Sequence, residues 1–151
     1  MELTYRFAVV SDIPEIAKIC AEYFPQLDVG VPMGELNLDT VVSHLCLSIG
    51  SGKPPTIIAV DGKEIVGVYG LDVDRYWWMD TYYVSDYMWY VKEGHRNKNI
   101  GRTLRKKAVE WAEEKNLPFR PTDVNLSRLP AKDRQLRMDG FSRVGSIYMK
   151  L

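Results

Sequence analysis

Four cations, Arg96, Lys98, Arg102 and Arg105, crowd the stretch where an apolar strand pattern ending in Trp89-Tyr90-Val91 passes through a polar turn into a helical pattern. A turn that opens directly into a helix leaves the first backbone N–H groups unpaired. It also aims the positive end of the helix dipole at one point on the surface. Anions bind at such points, and a pyrophosphate suits a row of successive amides. Gly101 has no Cβ, so a ligand can approach the backbone closely there.

A second set of residues with chemical reach is aromatic and acidic. Eight of the 17 aromatic residues fall between Tyr76 and Tyr90. Read as a strand, Tyr82–Val91 puts Tyr83, Ser85, Tyr87 and Trp89 on one face and Asp86, Met88 and Tyr90 on the other. Asp86 could serve as a base through water and Tyr87 as an acid, or both could simply pack the sheet. Trp77 and Trp78 sit in a connection, Val73–Asp80, with Asp72, Asp74 and Asp80 close by. They could wall a pocket for a cationic amine, or serve packing or a dimer contact. His44, on a helix beside an apolar stripe, and His95, in the phosphate-side turn, have no second ligand at metal spacing. No metal is expected. Cys20 and Cys46 lie in helical stretches and read as core packing.

These residues need elements to position them. Leu3, Tyr5, Phe7 and Val9 alternate as a first strand. Asp12, with Glu15 closing a capping box, starts a helix carrying Ile13, Ile16, Ala17, Cys20 and Phe24 on one face. A Gly/Pro-rich loop leads to a second helix, with Val41, Val42, Leu45 and Ile49 as its stripe and Gly50 as its stop. Thr56–Val60, a turn at Asp61-Gly62 and Ile65–Leu71 form a hairpin. After Tyr82–Val91, Ile100–Lys115 is the strongest helix, with Ile100, Leu104, Ala108, Trp111 and Ala112 inward. Phe119–Leu126 is a short strand, Ser127–Asp139 a last helix, and Phe141–Leu151 a closing strand. The order β-α-α-β-β-β-α-β-α-β predicts an α/β fold, a mixed sheet covered by helices, in a single domain over residues 1–151.

Composition agrees with a globular protein: 46% hydrophobic and 26% charged over 151 residues. No apolar run reaches membrane-spanning length and the start has no signal pattern, so a cytoplasmic protein is expected. The net charge of zero hides a division. Residues 1–91 hold 5 Lys/Arg against 13 Asp/Glu, and residues 92–151 hold 15 against 7. That suits an anion behind the C-terminal half and a cation before the N-terminal half. It speaks against a nucleic-acid surface, because the positive residues concentrate at one turn.

Arg96-Asn97-Lys98-Asn99-Ile100-Gly101 resembles the cofactor signature of the GCN5-related N-acetyltransferase superfamily, Arg/Gln-x-x-Gly-x-Gly/Ala after a strand. It matches at Arg96 and Gly101 and departs at Asn99, where Asn replaces glycine and can still take left-handed angles. The element order and Asp139-Gly140-Phe141, like the family's Gly-Phe step after its last helix, extend the resemblance over nearly the whole chain. It implies the acyl-CoA N-acyltransferase fold and acetyl transfer from acetyl-coenzyme A to a primary amine by direct attack in a ternary complex. It further implies that the backbone of Val91 and Glu93 lies beside the pantetheine arm, with the Val91 N–H toward the thioester oxygen. The amides of Asn97, Lys98, Asn99, Ile100, Gly101 and Arg102 would cradle the pyrophosphate, with Thr103 and Asn125 close to the cofactor. Many relatives of this fold are dimers, so a homodimer is compatible. An alkyl ammonium ionises near pH 10, so a base helps to free the nucleophile, and backbone amides can stabilise the oxyanion. The family's usual acid is a tyrosine four residues before the Gly-Phe step, and Leu136 stands there. The missing acid keeps a second reading open: a catalytically silent module of the same fold that binds coenzyme A or a protein partner.

Overall fold

Thr56–Val60 is apolar or β-branched at every residue rather than every second one, a pattern that needs both faces covered. The computed structural model describes residues 2–27, 34–122 and 129–145. Its strands are β1 (Leu3–Phe7), β2 (Thr56–Asp61), β3 (Glu64–Arg75) and β4 (Tyr82–Val91). They form one antiparallel sheet in the order β1-β2-β3-β4. β2 is an inner strand, and Thr56–Val60 are all buried.

Helices α1 (Ile13–Tyr23) and α2 (Leu38–Ser51) cover one face of the sheet. Ile16, Ile19, Cys20, Leu45 and Ile49 pack there on Ile58, Val68, Met88 and Tyr90. Helix α3 (Ile100–Glu114) covers the other face, with Ile100, Leu104, Ala108 and Ala112 on Ile57, Ala59, Val66, Tyr69, Leu71 and Val84. Each such Ile or Leu, taken fully out of water, stabilises the fold by roughly 1.5–3 kcal/mol. The α3 stripe sits close because Gly67 faces it: a Cβ there would lie 2.9 Å from Ile100 and 3.0 Å from Leu104. Helix α4 (Leu129–Met138) follows and has no buried residue.

The α/β class stands, with several local corrections. β1 ends at Phe7, and Phe7 and Val9 are about half exposed rather than core. Asp12 does not cap α1. Its carboxylate accepts the Val9 amide at 2.8 Å and both Arg6 Nη atoms, which hold it below the usual carboxylate range. Glu15 instead accepts the Ile65 amide at 3.0 Å and ties α1 to the sheet. Helix α2 runs through Gly50 to Ser51 and stops at Gly52, whose φ of 67° provides the left-handed cap. Asp61 pairs with Glu64, so the hairpin turn is Gly62-Lys63. β3 continues through Val73–Arg75, shortening the expected connection.

The sheet is antiparallel among the described residues, and its one parallel contact is a bridge between Val84 and Phe119. Residues 141–145 are not strand. In the other expected late strand, Phe119 forms only that bridge and residues 120–122 are not strand; the rest of both strands and the Ser127 cap lie outside the described residues. Last, β4 carries a bulge. Gly70 pairs with Met88 and Leu71 with Asp86, so Tyr87 is the extra residue. Tyr87, Met88 and Tyr90 therefore pack on the side of α1 and α2, with Tyr83 and Ser85 on the same face of the strand by alternation, while Val84, Asp86, Trp89 and Val91 face the α3 side. The strict period of two had placed Met88, Trp89 and Tyr90 on the wrong faces.

Candidate active site

The polar turn after β4 is held from below. Lys92 pairs with Glu64 at 2.7 Å and His95 with Asp61 at 3.4 Å, both acids lying beside the β2–β3 turn. Glu93–His95 forms a single 3-10 turn, and the Arg96 and Lys98 amides bond back to Glu93 and His95 carbonyls. Asn99 then takes φ 58°, ψ 12°, the left-handed conformation that the family's glycine would supply, and its side chain does not cap the helix. The first helical bond runs from the Thr103 amide to the Asn99 carbonyl at 3.0 Å. The amides of Ile100, Gly101 and Arg102 before it have no intrahelical acceptor. Asn97, Lys98 and Asn99 are exposed, Thr103 half-buried. A β-branched side chain is strained at left-handed angles, so Asn99→Val is expected to lower unfolding stability by roughly 1–2 kcal/mol. Asn99→Gly should be nearly neutral by the same chemical-denaturation measurement.

A cleft of about 370 Å³ opens at this helix mouth. One side is the edge of β4 at Trp89, Tyr90 and Val91, unpaired among the described residues, and beyond it stand Arg96, Gly101 and Arg102. The other sides are Tyr23 and Gln26 from the end of α1, and Lys132 and Gln135 from α4. The Lys92 amide bonds inward to the Val66 carbonyl, so by strand alternation the Val91 amide points outward, away from β3. Arg96 confirms that polarity, because its Nε donates to the outward Val91 carbonyl at 3.0 Å while its guanidinium sits 5.6 Å from the Tyr90 ring.

Trp89 forms the wall between strand and helix. Its Nε1 donates to the Gly101 carbonyl at 3.2 Å, with Arg105 and Lys132 at 5.0 and 4.6 Å from its ring. Asp139, just past α4, joins Arg102 to Arg105. Burial would raise its pKa, but the two guanidinium bonds outweigh that and hold it low. Arg105 is 2% exposed, and its Nη1 has no hydrogen-bond partner among the described residues.

Residues 118–122 run along β4 at Val84 and Asp86. Val84 exchanges backbone bonds with Pro118 and Arg120 at 2.8 Å. Two residues on, the Asp86 carboxylate takes the Thr122 amide and hydroxyl, each at 2.8 Å, and the Tyr69 hydroxyl at 2.7 Å. A side chain thus takes the place of a ladder bond at Thr122. Burial pushes the Asp86 carboxyl above the usual range, against the pull of these donors. Tyr87, on the opposite face, hydrogen-bonds Thr56 Oγ1 at 3.0 Å, and burial raises its phenol as well. Asp86 and Tyr87 are neighbours in sequence that open to different sides of the sheet. Asn125 lies outside the described residues.

The sequence pattern of the Acetyltransferase (GNAT) family matches residues 16–130. The chain belongs to this family. A search of curated proteins finds no match. Among solved structures, the acetyltransferase fold recurs in a predicted acetyltransferase with acetyl-CoA from Clostridium acetobutylicum. That pair has TM-score 0.78 and 15% identity, over 99% of this chain and 96% of the other. A GCN5-related N-acetyltransferase from Ralstonia eutropha has TM-score 0.77 and 16% identity, over 99% of both chains. An aminoglycoside antibiotic 6′-N-acetyltransferase from Acinetobacter haemolyticus has TM-score 0.72 and 11% identity, over 98% and 97%.

For this GNAT chain, the sequence reading missed Tyr23, Gln26, Lys132 and Gln135. The first two could not be read, because nothing local says that the end of α1 meets β4. Lys132 and Gln135 sit three apart on a polar helix, a weak signal that becomes clear once α4 lies over the cleft. Trp77 and Trp78 are 87% and 62% exposed at the β3–β4 turn, away from the cleft lining. No helix among the described residues is long and apolar enough to cross a membrane.

Proposed function

We propose that this protein is an N-acetyltransferase that moves acetyl from acetyl-coenzyme A to a primary amine by direct attack in a ternary complex. The observation that carries this reading is the uncapped mouth of α3, where the amides of Ile100, Gly101 and Arg102 lack intrahelical acceptors and Gly101 and Arg102 line the cleft beside β4. Those amides and the positive helix end would hold the pyrophosphate, with Arg102 beside it and Thr103 behind. The Arg105 Nη1, without a hydrogen-bond partner among the described residues, fits an anionic neighbour near this wall. Val91 would offer its outward amide to the cofactor arm, and Glu93 its backbone. Asn97, Lys98 and Asn99 shape the turn, and Asn125 is retained as a further contact. Bound acetyl-coenzyme A supplies a thioester carbonyl for an amine to attack.

Asp86 is proposed to act mainly by fixing where the gap closes, since its carboxylate already serves three donors, and Tyr87 as the acid on the acceptor side. The same saturation of Asp86, with Leu136 in place of the usual tyrosine, favours the second reading, a silent coenzyme A-binding module. Incubation with acetyl-coenzyme A and a panel of primary amines, an aminoglycoside included, distinguishes the two. Thiol release with at least one amine is the expected result. Micromolar cofactor binding in calorimetry with no turnover on any amine would replace the enzyme by the module.

A further inference from the structure

Tyr87 is held more firmly than a packing residue needs. The bulge turns it toward α2, and Gly70 leaves the space that its ring fills: a Cβ on Gly70 would lie 2.2 Å from the ring. Thr56 fixes its hydroxyl at 3.0 Å, and the His44 ring stands edge-on to it at 4.4 Å. Asp72 follows Gly70 by two residues on β3, so strand alternation puts it on the same face as the ring. It is half-buried, and its oxygens have no hydrogen-bond or ion-pair partner among the described residues. Burial raises its pKa, while His44 is near enough to pull it down. One turn after His44, the buried Ser48 hydroxyl is close to Tyr87 but outside hydrogen-bonding geometry.

Resting on the acetyltransferase reading, we propose that Asp72, His44 and Tyr87 form a seat for the unsubstituted ammonium group of the acceptor. An –NH₃⁺ group has three N–H donors and no acceptor. The seat would offer three acceptors of matching kind: a carboxylate with no ion-pair partner among the described residues, an imidazole nitrogen and a phenol oxygen. Three other ionisable groups near this face have their own surroundings: the Arg120 guanidinium lies 4.1 Å from the Tyr83 ring and donates to its hydroxyl at 3.1 Å. Asp74 accepts the Tyr83 hydroxyl at 3.4 Å, and burial pushes the Cys20 thiol up to about 11, which keeps it neutral. The seat lies on the far side of the bulge from the cleft, so cofactor and acceptor would meet across β4. A quaternary ammonium, with no N–H, leaves all three acceptors unpaired and should be rejected.

The test uses the full chain and 1,6-diaminohexane as probe, with hexamethonium as its quaternary counterpart. The His44 ring proton signal is followed by NMR, assigned against His95→Gln. The diamine should shift that signal saturably. In Asp72→Asn the half-saturation concentration should rise at least about 10-fold, the loss of one charge-assisted contact. Hexamethonium should leave it unmoved. A diamine that binds wild type and Asp72→Asn equally, or that leaves His44 unshifted, overturns the seat. Calorimetry with acetyl-coenzyme A in the same samples separates the two levels, because failure of the cofactor to bind defeats the acetyltransferase reading and not the ammonium seat.

Discussion

Gly101→Glu is expected to weaken acetyl-coenzyme A binding at least about 100-fold, some 2.7 kcal/mol, with the fold intact. Gly101 is the second residue of α3, between two other amides that lack helical partners. A Cβ there would already stand 3.2 Å from Trp89 Nε1 and 3.3 Å from its Cζ2, so a longer side chain must leave toward the cleft. Its carboxylate would then occupy the place of the diphosphate and repel it. The same charge near a helix N-terminus favours the helix itself, so thermal unfolding should change little. Gly101→Ala separates crowding from charge and should cost no more than about 10-fold. Normal affinity of Gly101→Glu in calorimetry would mean that the cofactor binds elsewhere.

Gly70→Ala should lower unfolding stability by roughly 1–3 kcal/mol, the range for forcing an extra carbon into a filled space. The Cβ would fall 2.2, 2.5 and 2.7 Å from three Tyr87 ring carbons, so the ring must leave its place and give up the Thr56 bond and the His44 contact. The conflict is confined to this pair. In a Tyr87→Ala background the same substitution should cost almost nothing, a strongly non-additive cycle read by urea unfolding. Equal costs in both backgrounds would show that Gly70 is needed for its backbone and not for the ring. Under the acetyltransferase reading, Gly70→Ala should also slow acetylation without altering acetyl-coenzyme A affinity.

The amino-acid sequence determined the helices and inner strands of this protein, because their signals are local. Periodic apolar residues at Ile100, Leu104, Ala108 and Ala112, and the continuous apolar run at Thr56–Val60, admit few alternatives. The turn after β4 was legible for the same reason. Asn99 can enter left-handed angles on its own, and a helix start exposes its amides whatever surrounds it.

Only the tertiary structure decided what depends on pairing between distant segments. A bulge is a relation between β3 and β4 that no period within β4 can reveal, and this one moved Met88, Trp89 and Tyr90 across the sheet. Asp86 read as a base through water or a residue packing the sheet, and its bonds to Thr122, 36 residues on, could not be read from β4 alone. Asp12 and Glu15 matched a capping box, yet Arg6 and the Ile65 amide, from outside the helix, offered better partners. The cleft too is assembled from α1, β4, α3 and α4, whose approach is set by burial of apolar faces. That force is non-directional, so it fixes a fold while leaving contact partners unwritten in any one segment.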